Sequence, residues 1–195
     1  MAKQLHFAVS GYYGCGNAGD EAVLAGIAAS FARQAGERVR LTVLSQNPDA
    51  TIAQHGLQAI DRMDLSHVRA TLRESDLLLS GGGSLLQDTT SIRSLLYYLW
   101  IARMAFQMGK PVMFYAQGMG PLRRPLSRWL VRLVANRAAY LTVRDEPSAL
   151  LLKTIGVTNP RLEVTADPAF ALMPATSDLI DNLCRAENIP IGEMV

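Results

Sequence analysis

The sequence predicts an α/β protein, a parallel sheet covered by helices on both faces. Short apolar runs, often β-branched, alternate with longer helical stretches along the whole length. Several of these runs are apolar on both sides, as strands buried from both faces require. Five of them end in loops of glycine or polar residues, the edge at which such sheets bind ligands.

In chain order the first strand is Leu5–Ser10, followed by a glycine loop and a helix over Asp20–Ala35. A second strand, Val39–Ser45, leads into a helix at Pro48–His55. Strand Leu57–Ile60 precedes helix Leu65–Glu74, and strand Asp76–Ser80 precedes Ser91–Met108. Strand Pro111–Gln117 precedes helix Pro125–Arg137, Tyr140–Val143 precedes Pro147–Ile155, and Leu162–Thr165 is the last strand. Met173 to Ser177 then reads as a linker, Asp178 to Asn188 as a helix, and Ile189 to Val195 as the beginning of a new strand. That ending predicts an α/β domain over 1–174, with 175–195 a linker and the start of a second domain.

Composition narrows the function classes. At 195 residues and 49% hydrophobic content, the chain has material for one well-packed domain. No apolar run reaches the ~20 residues of a membrane span, and Arg103 interrupts the nearest, Leu95 to Met108. The first residues lack a signal-peptide pattern, so a cytoplasmic protein is expected. Cys15 and Cys184 make no disulfide framework, and the scattered His6, His55 and His67 give no support for a metal site. A net charge of +2 gives no reason to invoke nucleic acid. Arginines do cluster at 123, 124, 128, 132 and 137, and Arg124, Arg128 and Arg132 recur every four residues. On a helix they form one stripe, either a solvated face or a patch facing an anionic acceptor or a membrane surface.

The most informative segment runs from Ser10 to Glu21. Gly14, Gly16 and Gly19 fit the G-x-G-x-x-G spacing of a dinucleotide turn. Asp20 and Glu21, at the helix start where a pyrophosphate would sit, oppose that reading. The ribose-binding acid expected after the second strand is also missing, because Val39–Leu44 runs into Ser45-Gln46-Asn47-Pro48. A nicotinamide site is not expected.

The other strand-end loops are Gly81-Gly82-Gly83-Ser84-Leu85-Leu86-Gln87-Asp88, Gln117-Gly118-Met119-Gly120-Pro121, Arg144-Asp145-Glu146 and Asp167-Pro168. Three glycines in a row let a backbone approach a ligand and can form an anion-binding nest. Each signal has a plain structural counterpart. Asp20 can be a helix cap, the triple glycine a tight turn, Arg144 the partner of Asp145 or Asp167, and Asp167-Pro168 an ordinary turn. Cys15 reads as a small filler, and Tyr97, Tyr98 and Trp100 as core. Five loops at one sheet edge nonetheless favour a binding crevice.

Taken together, the glycine loop with Asp20-Glu21, the Gly81–Asp88 loop, Gln117-Gly118-Met119-Gly120-Pro121, Val143-Arg144-Asp145 and Ala166-Asp167-Pro168-Ala169-Phe170 resemble the landmarks of polysaccharide pyruvyl transferases. The likeness is to the bacterial type that modifies the cell-wall polymer anchoring S-layer proteins, and it spans about residues 5 to 172. It implies a Rossmann-like doubly wound parallel sheet, the N-terminal half of a GT-B-like two-domain enzyme. The implied reaction moves the pyruvyl group of phosphoenolpyruvate onto a lipid-linked cell-wall glycan, at N-acetylmannosamine, as a 4,6-ketal. No cofactor or metal is implied, phosphoenolpyruvate being a substrate, and peripheral contact with the membrane goes with such an acceptor. The family's second domain is expected to supply a histidine and further basic residues, so this chain alone is expected to be inactive.

The donor is a small anion with a carboxylate and a phosphate, which a bidentate arginine suits better than lysine. Arg144 is the candidate. A base within reach of the attacking hydroxyl is also required, with Asp20 first and Asp88 in reserve. Asn17, Gln117 and the backbones of Gly14, Gly16, Gly19, Gly81, Gly82, Gly83 and Gly118 are candidates for orienting sugar or phosphate, with Ser84, Asp145 and Asp167 beside them. Two other readings remain at this stage: the acceptor half of a GT-B glycosyltransferase, and a non-catalytic glycan-binding domain.

Overall fold

A computed structural model describes residues 3–89 and 91–189. Eight parallel strands are joined by helices: β1 (Leu5–Tyr13), α1 (Ala18–Ala35), β2 (Val39–Ser45), α2 (Pro48–His55), β3 (Gln58–Asp61), α3 (Leu65–Glu74), β4 (Leu77–Ser80), β5 (Gly83–Leu86), α4 (Ile92–Gln107), β6 (Val112–Met119), α5 (Pro125–Arg137), β7 (Tyr140–Val143), α6 (Glu146–Thr154), β8 (Leu162–Val164) and α7 (Ser177–Ala186). The sheet runs β3-β2-β1-β4-β6-β7-β8, with β5 paired to the end of β6. The order reverses beside β1, which makes the sheet doubly wound and opens a crevice there.

Both faces of the sheet are packed. Val9, Val43 and Leu79 meet Leu24 and Ile27 of α1 in one core. On the opposite face Leu78, Phe114 and Leu141 meet Leu72, Ile101, Val131 and Leu152 from α3 to α6. Helix starts are set by short polar side chains: Asn47 accepts from the Ala50 amide, Asp64 from Ser66 and His67, and Asp145 from Ser148. A 3₁₀ turn at Pro168–Ala171 closes against α1 at Gly26, where any β-carbon would collide with the Pro168 carbonyl.

Three strands depart most from the sequence expectation. β1 continues past Ser10 through Gly11 to Tyr13, with an irregular step before Tyr13 pairs with Ser45. The stretch expected to be a glycine loop after the fourth strand contains β5, because Gly83 and Leu86 pair with Gln117 and Met119. β6 is longer than expected for the same reason. The strand expected at the C-terminal end falls on residues 190–195, outside the described residues.

Candidate functional site

The carboxyl ends of β1, β5, β7 and β8 surround two adjoining cavities of about 410 and 420 Å³. Asn17, Asp20 and Ser84 line both. Arg144, Asp167 and Phe170 close the second, while Tyr12, Tyr98 and Ser94 line the first.

Helix α1 begins at Ala18, so Asp20 lies in its first turn and is not its cap. Asn17 takes that role, its Oδ1 accepting from the amides of Gly19 at 3.0 Å and Asp20 at 3.2 Å. Asp20 is thereby free, and among the described residues no donor reaches its carboxylate. Its carboxyl is held above the ordinary aspartate range, first by burial and then by neighbouring Glu21, with Arg144 pulling the other way. A β-carbon on Gly83 would lie 2.7 Å from Asp20 Oδ1, so that glycine makes room for the carboxylate.

Arg144 follows β7 and spans the second cavity. Its Nη1 donates to Asp167 Oδ2 at 3.1 Å and its Nη2 to Ser84 Oγ at 3.1 Å, while Nε stands 3.6 Å from Asp145 Oδ2. Its side chain keeps 34% of its surface, which leaves N–H groups for a ligand. Gly118 lies directly beneath: a β-carbon there would sit 2.8 Å from Arg144 Nε and from Ser84 Oγ. Ala116, with a left-handed φ of 49°, creates this approach by kinking β6 where its pairing to β7 slips. Asp167 serves Arg144 more than open solvent, whereas Asp145 keeps 42% of its side-chain surface and chiefly caps α6. Asp145 Oδ1 also accepts from Ser148 N, and Asp167 Oδ1 from Ala169 N. The ion pair that the sequence left open is therefore formed, mainly with Asp167.

Several candidates lie elsewhere than expected. Glu21 does not face the helix-start site: its Oε1 accepts from Gly14 N at 2.8 Å and its Oε2 meets His55 Nε2 at 2.9 Å. The Gly14 amide is thus committed, and a β-carbon on Gly14 would meet Ser45 Oγ. The loop folds back on the end of β2, where a dinucleotide would need open space. Gly16 remains exposed. The triple glycine does not form an anion nest. Gly81 N donates to Ser10 O, and Gly81 and Gly82 admit Tyr13 and Val23 at close range. Gln117 is buried, donating to the carbonyls of Ser80 and Gly81 and holding the β4 end instead of a ligand. Asp88 is a clamp: its two oxygens accept from the amides of Arg123 and Arg124, each at 2.8 Å. Desolvation raises its carboxyl, but those amides outweigh it and hold the group below the usual range.

One group escaped sequence reading. Arg62, after β3, is buried against the Tyr97 ring, 4.4 Å from its centroid, and its Nη1 donates to Tyr98 Oη at 3.4 Å. Tyr98 is core by burial, as expected, yet it also lines the first cavity. No spacing rule connects residue 62 to residue 98, and only the sheet order brings them together. No group of three or more His, Cys, Asp or Glu among the described residues is placed to hold a metal.

The fold has relatives among solved structures. Anabaena Alr3699/HepE in complex with UDP is similar at a TM-score of 0.60 and 14% identity, over 94% of this chain and 50% of its own. A putative UDP-N-acetylglucosamine 2-epimerase from Listeria monocytogenes gives a TM-score of 0.57 at 13% identity, over 94% and 52%. S. aureus MnaA with UDP gives 0.56 at 14%, over 92% and 51%. The chain spans about half the length of these proteins. At such identities the likeness is one of fold, the parallel α/β class with GT-B-like relatives expected from the sequence. None of the curated proteins matches the chain. The sequence profile described as polysaccharide pyruvyl transferase, a transferase family, matches residues 17–193, and the chain belongs to the polysaccharide pyruvyl transferase family.

Proposed function

We propose that this chain is the N-terminal half of a pyruvyltransferase that moves the pyruvyl group of phosphoenolpyruvate onto a cell-wall sugar, N-acetylmannosamine, as a 4,6-ketal. The observation that carries the reading is the pairing of an unpartnered, half-buried Asp20 with Arg144 across one cavity. The cavity suits a small ligand that is part anion and part polyol.

In this reading Arg144, steadied by Asp167 and Ser84, holds the donor's carboxylate or phosphate with its free N–H groups. Proton addition to the donor's methylene carbon makes an oxocarbenium-like centre at C2, and a sugar hydroxyl attacks it. The ionised Asp20 carboxylate, made more basic by its burial, takes that hydroxyl's proton. Loss of phosphate from C2 and attack by the second hydroxyl complete the ketal; of the two hydroxyl protons, one balances the proton added to the methylene carbon and the other leaves with the phosphate. The Asn17 side chain and Ser84 orient the sugar. Donor contacts from a second domain, including a histidine, would complete the site.

The test is phosphate release from phosphoenolpyruvate by the complete protein given a β-linked N-acetylmannosaminyl acceptor. Arg144→Ala should abolish release while circular dichroism stays unchanged. Wild-type rates from that variant would remove Arg144 from the site. Glycan binding with no turnover in the wild-type protein would refute the enzymatic reading.

A further inference from the structure

Between Asp88 and Asp145 the chain contains no acidic residue, while it carries eight arginines and Lys110. That stretch holds α4 and α5, which pack against each other and against the same face of the sheet. Their outer surfaces are not those of ordinary solvated helices. On α5, Leu126, Trp129 and Leu133 are 59%, 51% and 46% exposed, and their i, i+3, i+7 spacing puts them on one stripe. The buried positions Ser127, Val131 and Ala135 face the opposite way. On α4, Leu96 and Trp100 form a second exposed stripe, with exposed Arg93 and Arg103 one turn to either side.

Both of the chain's tryptophans therefore stand in solvent, on neighbouring helices, each beside arginines in a stretch of chain without acidic residues. Exposed apolar surface rimmed by one sign of charge marks a docking surface. A protein partner would need its own run of acids to match, whereas an anionic lipid leaflet supplies negative charge everywhere along its plane. Tryptophan belongs at the headgroup boundary, and arginine can reach phosphate while its stem lies on apolar surface. The first turn of α4, with Ser91 and Ser94, lines the first cavity, so this surface begins at the rim of the site.

We propose that the outer face of α4 and α5 docks on an anionic lipid surface, with Leu126, Trp129 and Leu133 at the headgroup boundary and the flanking arginines on lipid phosphates. Docking of this kind does not require the pyruvyl transfer proposed above. It would, however, hold the cavity mouth next to a membrane-borne acceptor.

The two tryptophans report on the surface directly. Phosphatidylcholine vesicles containing phosphatidylglycerol should bind the protein and shift its tryptophan emission to the blue, with quenching by lipids brominated on the upper acyl chain. Pure phosphatidylcholine vesicles should do neither, and half-molar salt should release the protein. Arg123 and Arg124 touch Asp88 only through their backbone amides, so an Arg123→Gln, Arg124→Gln variant keeps that clamp. At roughly fivefold per arginine near a charged surface, it should bind anionic vesicles about 25-fold more weakly. Trp129→Ser should reduce the emission shift. Equal behaviour with neutral and anionic vesicles would overturn the proposal, as would an unshifted emission. So would a wild-type protein that self-associates through this face and ignores vesicles. Vesicle binding measured apart from phosphate release keeps this result separate from the fate of the reaction.

Discussion

Gly118→Ala tests the site through one atom. Gly118 does not occupy the left-handed region, so alanine strains no backbone, and the added β-carbon meets only movable side-chain ends. It would lie 2.8 Å from Arg144 Nε and from Ser84 Oγ, and 2.9 Å from Arg144 Cζ. An ordinary carbon contact needs roughly 3.5 Å, so the guanidinium must retreat by about 0.6 Å. Its bonds to Asp167 and Ser84, both 3.1 Å, would then stretch to about 3.7 Å, beyond useful hydrogen-bond length. Global stability should change by less than about 1 kcal/mol, because nothing in the close-packed core moves. Misplacing an anion-holding group by this much should lower kcat/KM for phosphoenolpyruvate by 10- to 100-fold, about 1.4–2.7 kcal/mol of transition-state stabilisation. Phosphate release at varied phosphoenolpyruvate, with a thermal melt of the same sample, reads both. Wild-type kcat/KM with an unchanged melt would refute the claim that Arg144 acts from its place over Gly118. A melt lowered by several kcal/mol would refute the claim that only the site gives way.

Two further carboxylates are predicted to behave in opposite senses. Asp20→Asn should cut turnover by at least about 100-fold and remove the acid limb of the rate profile, a limb that in the wild type lies above the ordinary aspartate range. Because the folded state raises this carboxyl, its neutral form adds stability that is full below the unfolded value and lost as pH rises through the folded one. Asp20→Asn should therefore flatten that part of the stability curve, and a steeper curve would contradict the assignment. Asp88→Asn should lose about 1–2 kcal/mol of stability by giving up a charge-assisted bond to an Arg123 or Arg124 amide, with turnover nearly kept. Its lowered carboxyl contributes stability above the unfolded value that is lost as pH falls through the folded one. Loss of turnover in Asp88→Asn with an unaltered melt would return Asp88 to the role of base.

Periodicity and glycine spacing were enough to read the strand and helix order, because one element's face is written in its own residues. They were also enough to draw attention to Asp20 and Arg144, which end separate strand loops and face one cavity. They misjudged Gly81 to Gly83, whose spacing looks the same whether the small residues admit a ligand or a neighbouring side chain. Here Tyr13, Val23 and Asp20 fill that room. Gln117 and Asp88 fail for a related reason: a polar side chain near a glycine serves the backbone if the fold brings it an unpaired amide or carbonyl, and that partner lies 35 or more residues away.

The sequence by itself determined the α/β class, the family and the edge of the sheet at which polar loops gather, since all three rest on local pattern and motif order. Only the tertiary structure decided which polar groups are spent. Glu21 turns inward to Gly14 and His55, Asn17 takes over the helix cap, and Arg62 is sealed against Tyr97 and Tyr98. Asp20 is left unpaired beside Arg144 as a result. The physical reason is that a hydrogen bond is a contest among all donors and acceptors within about 3 Å. Chain folding, and not distance along the sequence, sets who competes.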